Sequence, residues 1–386
     1  ALHQLFCISH KNTVFVFITV INHLAWNISD SQVYGIRMAN DYINAQQREV
    51  VHQLGRNWLW RSELPTWALM AVVYGGWFGC VIYWQTLGLF LTTLLLIVFT
   101  TWYMSLQHEL IHGHPTRFPG LNQLFGTLPL AVWYPYGLYR DSHLAHHRNH
   151  TLTEPDEDPE TYYLSPERWA QLKPWQQRLI HLRNTFPGRL LLGPLLDIAA
   201  TLKVMVLARD RAAITMWMVH LTLLGGLFYW MQQQGLSPLW FVVAVSYPAL
   251  ALTKIRSFYE HRAEEAPLAR SVNNEAAWPW RLLFLNLNYH SVHHDLPGLP
   301  WYGLRKVYLL YRDGYHQRNH GFRVAGYGEW LLRFWRKPVN VNAHPGTHKD
   351  AQHADHFTAD VRYSSSDDAW PDRSANDAAE TTRRAG

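Results

Sequence analysis

The chain has 386 residues, of which 48% are hydrophobic, and carries 34 Lys and Arg against 29 Asp and Glu, a formal net charge of +5. Its two cysteines, Cys7 and Cys80, exclude a disulfide framework and a cysteine metal site. The basic residues are scattered and accompany no binding motif, which argues against a nucleic-acid partner and for positive-inside topology on an anionic membrane surface.

In chain order, residues 1–49 read as an N-terminal segment. The first methionine is Met38. The run VFVFITVI before it is too short to span a bilayer, and no basic start or cleavage site accompanies it. The natural start is therefore expected at Met38, and a native peptide mapped upstream of it would disprove this.

Residues 50–339 read as a membrane domain. No charged residue occurs from Leu64 to Gln107 or from Ala212 to Thr253. A helix rises ~1.5 Å per residue and the bilayer core is ~30 Å thick, so each stretch can cross twice. Each also breaks in the middle, at QTLG (85–88) and QQQGLSP (232–238). The pattern predicts four spans in two hairpins, about 66–84, 87–106, 212–231 and 239–255. The connections inside the hairpins lack Lys and Arg, whereas the segment between the hairpins and the chain after Lys254 are rich in them. Both hairpins are thus expected to enter from the cytoplasm and return to it. Trp67, Trp84, Trp102, Trp230 and Trp240 flank the predicted spans as an aromatic belt would.

At the end of the second predicted span stands HELIHGH, with His108, Glu109, His112 and His114. HExxH on a helix is the zinc-protease signature, so the motif alone leaves the metal open. Leu121 to Tyr139 is uncharged and long enough to span. Pro129, Pro135 and Gly126 interrupt it, and crossing would separate the histidines on either side. It is expected to lie in the interface or fold back, as is Leu190 to Leu207 with Asp197 and Lys203. DSHLAHHRNH follows, with His143, His146, His147 and His150, and then the acidic run EPDEDPE (154–160). That run reads as a solvated loop, with docking of a basic electron donor as its functional alternative. His220 lies in the middle of the third span, where a hydrogen bond to a neighbouring helix accounts for it. RSFYEHRA puts His261 just beyond the fourth span, and NYHSVHHDLP carries His290, His293 and His294. From 340 onward the composition is that of a disordered polar tail.

Spacings of three and four put side chains on one helix face, so HxxxH and HxxHH each form a compact ligand strip. Two, three, one and three histidines make nine. A tetrahedral zinc uses about three or four ligands, so nine imidazoles suit two iron ions instead.

HELIHGHPT, SHLAHHRNH and NYHSVHHDLPGLPWY resemble the three histidine boxes of the membrane-bound fatty acid desaturase and hydroxylase superfamily, over roughly residues 50–315. The resemblance implies an all-α integral membrane fold of four transmembrane helices with a cytoplasmic helical cap carrying a di-iron site. It would make His108, His112, His143, His146, His147, His290, His293 and His294 metal ligands. His261 matches an additional histidine that some members carry. His114 and His150 are expected to be supporting or surface residues. Glu109, Asp141, Glu260 and Asp295 are candidates to orient ligating imidazoles, and Asn288 to reach iron through water. The cofactors implied are two iron ions, with O2 as co-substrate. The partners implied are a fatty acyl substrate, as free acid, acyl-lipid or thioester, membrane lipid, and a separate ferredoxin, rubredoxin or cytochrome donor. The location implied is the bacterial inner membrane, with the boxes on the cytoplasmic side. Desaturation is the favoured reaction, with decarboxylation to a terminal alkene or hydroxylation as alternatives.

Two further motifs each lack a defining glycine. AHPGTH at His344 lacks the second glycine of a haem-binding His-Pro-Gly-Gly. GPLLDIA at Asp197 has Ile198 where an intramembrane zinc protease has glycine. A protease using His108, His112, Asp197 and Glu109 would leave the other histidine clusters without a role.

Overall fold

The computed structural model of the chain describes residues 41–148, 150–207, 209–342, 344 and 345. The expected start at Met38, the apolar run before it and the tail from 346 lie outside the described residues.

Two short helices lead in. Asn44 caps Ala45–Gly55 by accepting the Gln47 N–H at 2.7 Å, and Asn57 caps Trp58–Ser62. Four helices are then long and apolar enough to cross a membrane: Leu64–Ile82, Leu89–Ile111, Arg211–Gln233 and Pro238–Arg256. All four predicted spans are therefore present, with ends displaced by a few residues. The largest displacement is in the second, which runs on to Ile111 through the first histidine motif. Hydropathy registers where apolar side chains stop, whereas helical hydrogen bonding continues through polar ones.

The hairpin turns fall where the sequence breaks. Gly88 (φ +77°) and Gly235 (φ +83°) sit in the two connections, in conformations that a Cβ disfavours. The connections lie together, because the Trp84 indole donates to the Gln234 carbonyl at 2.7 Å. Both hairpins therefore turn at one end of the bundle, and the histidine motifs emerge at the other. Between them Trp77, Leu96, Tyr103, Leu106, Phe241 and Val245 form the buried core. The Trp77 indole is satisfied there by Thr100 Oγ1 at 3.2 Å. In the fourth span a wide turn over Phe241–Ser246 precedes Pro248, whose missing N–H removes one rung of the regular ladder.

Leu121 to Tyr139 does not cross. Helix Pro119–Gly126 ends against the second span, where Tyr103 Oη and Gln107 Nε2 donate to the Gly126 carbonyl at 2.8 and 2.9 Å. An irregular stretch through Pro129 and Pro135 then leads into helix Tyr136–His146. His220 donates to the Val132 carbonyl in this stretch at 2.7 Å, so its mid-span position has a packing role. Helix Gly193–Leu207 leaves Leu195, Leu202, Val204, Val206 and Leu207 exposed, an apolar face consistent with an interfacial position.

The remaining segments close over the histidine end. The all-helical expectation misses one detail, a two-residue parallel pairing of Asn273–Asn274 with Arg323–Val324. Trp102 Nε1 and Ser105 Oγ of the second span donate to the carbonyls of Leu282 and Leu283, at 2.8 and 3.0 Å. Helix Tyr327–Phe334 packs Trp330 and Phe334 on Phe258. Residues 340–345, which the sequence reading put in the polar tail, include the buried Val341 and His344. Leu164 N–H donates to the Val341 carbonyl at 2.8 Å, and His344 Nε2 contacts Thr153 Oγ1 at 2.9 Å. The pattern of polar residues hides this because the segment docks through backbone groups and one imidazole.

Candidate metal centre

Each histidine motif reaches the centre on its own piece of backbone. His108 lies in the last turn of the second span and His112 caps it, one turn later on the same face. His143 and His146 end helix Tyr136–His146, and His147 is its cap. His261 bridges backbone to backbone with Ser271. His290, His293 and His294 occupy the buried helix His290–Asp295. That helix is pinned by the Ser291 N–H on the Val272 carbonyl at 3.0 Å, next to the strand pairing.

All nine histidines come together, in two groups. His108, His112, His143, His147 and His293 form one, and His146, His261, His290 and His294 the other; one ring nitrogen from each lies within 4.8 Å of those of its group. The groups adjoin, since the rings of His147 and His294 stack with centroids 4.3 Å apart. His114 and His150 belong to neither. His114 is buried with its Nδ1 2.9 Å from Glu63 Oε1, while His150 is exposed.

Within the first group Nε2 atoms touch in a chain: His112 to His143 at 3.1 Å, His143 to His147 at 3.1 Å, His147 to His293 at 3.0 Å. The second group repeats it: His146 to His261 at 3.1 Å, His261 to His290 at 3.0 Å, His290 to His294 at 3.2 Å. A ring nitrogen has a single in-plane site, holding either a proton or a lone pair. It cannot hydrogen-bond two partners, so neither chain of contacts can be satisfied by hydrogen bonds alone. A cation shared among the lone pairs satisfies them together, and the residues present therefore fit a metal site.

The protonation preference agrees. Burial, reinforced by neighbouring imidazoles, holds His112, His147, His261, His290, His293 and His294 well below the ordinary histidine range. Burial also lowers His143, against the pull of Glu160. His146 goes the other way, because Glu160 and Asp158 outweigh its burial.

A family model for fatty acid desaturase matches residues 84–326, more than half of the chain and all nine histidines. The chain belongs to the fatty acid desaturase family. An acyl-lipid omega-3 desaturase (cytochrome b5) of the endoplasmic reticulum from Arabidopsis thaliana is 34% identical over 129 residues. That alignment covers 33% of this chain and 30% of the relative.

In this fatty acid desaturase-family protein the groups behind the histidines differ in part from the sequence expectation. Asp158 Oδ1 accepts from His146 Nδ1 at 2.8 Å, and Glu160 lies 3.3 Å from His143 Nδ1. Ser271 Oγ lies 3.2 Å from His261 Nδ1. The solvated-loop reading holds for the exposed Asp156 and Glu157 but not for Asp158, which is buried, with Oδ2 accepting from Thr153 N–H at 2.8 Å and Oδ1 also from Glu160 N–H at 2.9 Å. Its position close after the second box was the available signal.

Of the residues expected to orient imidazoles, Glu260 comes nearest, 3.6 Å from His290 Nδ1 and bonded to Arg256 at 2.7 Å. Glu109 lies 3.8 Å from His108 Nδ1 and accepts the Trp301 N–H at 3.0 Å, which ties the first box to the segment after the third. Asp141 is exposed and pairs with Arg140, which corrects its assignment. Asp295 pairs with Arg318 at 3.1 Å, and Asn288 Nδ2 donates to the Asn274 carbonyl at 2.5 Å. These two brace the third box from behind. Asp197 is held by Arg183 and Lys254 and joins neither histidine group, which removes the acid that a protease would use.

The lowered histidines make stability acid-sensitive. Their folded pKa values lie below the unfolded value near 6.5, so the unfolded chain takes up more protons below that pH. The stabilisation is present above pH 6.5 and is lost as pH falls below it, by up to about 1.4 kcal/mol per pH unit for each such group. Chelator-treated protein in detergent is expected to lose thermal midpoint steeply from pH 6.5 to 5.5. A flat profile over that range would show that the rings are not buried and neutral.

Proposed function

We propose that this chain is an O2-dependent di-iron fatty acid desaturase that introduces a double bond into an acyl chain. The observation that carries the reading is the pairing of two adjoining histidine groups at one end of four apolar helices in a fatty acid desaturase-family chain. His108, His112, His143, His147 and His293 would hold one iron, and His146, His261, His290 and His294 the other. Imidazole suits iron, and the five-histidine group exceeds the three or four ligands that tetrahedral zinc takes.

When bound, the iron pair supplies the O2-driven oxidation of an unactivated C–H bond. The overall reaction takes two hydrogens from adjacent carbons and, with two electrons from the donor and two protons from solvent, reduces O2 to two waters. The chain's own residues supply the setting. Asp158, Glu160 and Ser271 accept hydrogen bonds from the Nδ1–H groups of His146, His143 and His261, the tautomer that leaves each Nε2 lone pair free for a metal and raises its basicity. On this reading the segments closing over the histidine end would keep water from the reacting carbon and hold a flexible alkyl chain in place.

The excess of Lys and Arg between and after the hairpins supports a cytoplasmic side for the histidine end, and the location proposed is a bacterial inner membrane. Electrons then come from a separate cytoplasmic ferredoxin, rubredoxin or cytochrome donor. The Arabidopsis relative, named for cytochrome b5, supports an external carrier of this kind.

The test is mass spectrometry of lipids and headspace from cells expressing the chain with a ferredoxin system, with His146→Ala as blank. New internal double bonds, dependent on O2 and absent from the blank, are the expected result. A hydroxylated chain, or a terminal alkene one carbon short of a fed acid, would replace the named reaction while leaving the metal centre in place.

A further inference from the structure

Away from the histidines, three cations and one carboxylate meet where helices Phe186–Leu191 and Gly193–Leu207 pack on the end of the fourth span and helix Pro174–Arg183 packs on the first of them. Asp197 is fully used: Oδ1 takes Arg183 Nη2 at 2.8 Å and Oδ2 takes Lys254 Nζ at 2.5 Å. Arg189 has no carboxylate partner. It is 1% exposed, its guanidinium lies 3.9 Å from the Tyr162 ring centroid, and Nη2 donates to Asn184 Oδ1 at 2.7 Å. The Tyr162 side chain also offsets the Arg189 charge and its ring lies 4.4 Å from the Arg183 guanidinium, but no carboxylate reaches Arg189, and its Nε and Nη1, Arg183 Nε and Asn184 Nδ2 lack a hydrogen-bond acceptor of good geometry. All four unmatched groups are donors, and the local charge is three positive against one negative. A buried guanidinium short of acceptors is strongly unfavourable, and its natural complement is a planar or tetrahedral oxyanion.

The surroundings indicate what carries that oxyanion. Asp197 shares its helix with the exposed Leu195, Leu202, Val204 and Val206. Lys254 closes an apolar span, so the cluster sits where apolar surface gives way to polar. The segment that carries Lys254 continues through Phe258, which lies 5.7 Å from the Arg189 guanidinium, to His261.

We propose that Arg183, Arg189 and Lys254 form a binding site for the oxyanion head group of a membrane amphiphile, a fatty-acid carboxylate or a lipid phosphate. The acyl nature of the tail rests on the proposed function; the site itself does not.

Calorimetric titration of the purified, metal-containing protein in detergent tests this with three amphiphiles of equal chain length: a fatty acid, a lysophosphatidate and a fatty alcohol. At least one oxyanion is expected to bind more than about 10-fold tighter than the alcohol, a preference that Arg189→Gln and Lys254→Gln both remove while alcohol binding stays unchanged. Preference for the carboxylate alone marks a substrate head-group site, and for the phosphate alone a lipid site. Equal binding of all three by the unmodified protein, or a preference that survives both variants, overturns the proposal. The first criterion needs no variant, so misfolding of Arg189→Gln leaves the test intact. Oxyanion preference without any oxidised acyl product would sink the desaturase reading and keep the site; product without preference would do the reverse.

Discussion

Alanine at His146 is expected to abolish turnover and to lower the iron content of the purified protein by about half or more. His146 belongs to the four-membered group, so its loss leaves His261, His290 and His294. It also leaves the Asp158 carboxylate buried without its imidazole. The same outcome is expected for the other box histidines, but His146 is the sharper test because its group has no spare member. Iron analysis beside a product assay checks it. Full iron content with substantial activity would show that the two groups are wrongly assigned.

The second large effect is expected from Asp158, a residue that touches no metal position. Asp158→Ala removes the acceptor on His146 Nδ1 and two backbone caps, at Thr153 and Glu160. Loss of an outer carboxylate of this type weakens metal binding by about 10–100-fold. Unmade buried hydrogen bonds cost a further ~1–3 kcal/mol of stability. Competition with a chelator separates the first effect from the second, which thermal unfolding of the metal-free protein reads. Asp158→Asn is expected to keep the Oδ1 contacts while turning an amide toward the Thr153 N–H. Metal affinity unchanged in both variants would show that the contact only packs the loop. The strap at His344 bears on the same loop, since it holds Thr153 and lies 3.3 Å from Glu154.

Local physics made much of this protein readable. Charge-free stretches with a glycine break in each specify two hairpins, because the bilayer core imposes a length and backbone polar groups must be satisfied within each span. Spacings of four keep His108 with His112, His143 with His147 and His290 with His294, and each of these pairs stays within one group. Helical periodicity alone decides that much.

What it leaves open is where the intervening histidines go. His146 leaves the group of its neighbour His147, and His293 leaves that of His294, so the second and third boxes each contribute to both groups. Adjacent residues on a helix point about 100° apart, and only the packing of one box against another supplies the partner on each side. The same holds for the acids. Asp158 and Asp141 look alike as charged residues flanking the second box, yet one is buried on His146 and the other is exposed on Arg140. Composition registers charge; the turn that folds the acidic run back onto the helix, closed by Thr153 and Glu160 N–H groups, decides which carboxylate reaches an imidazole.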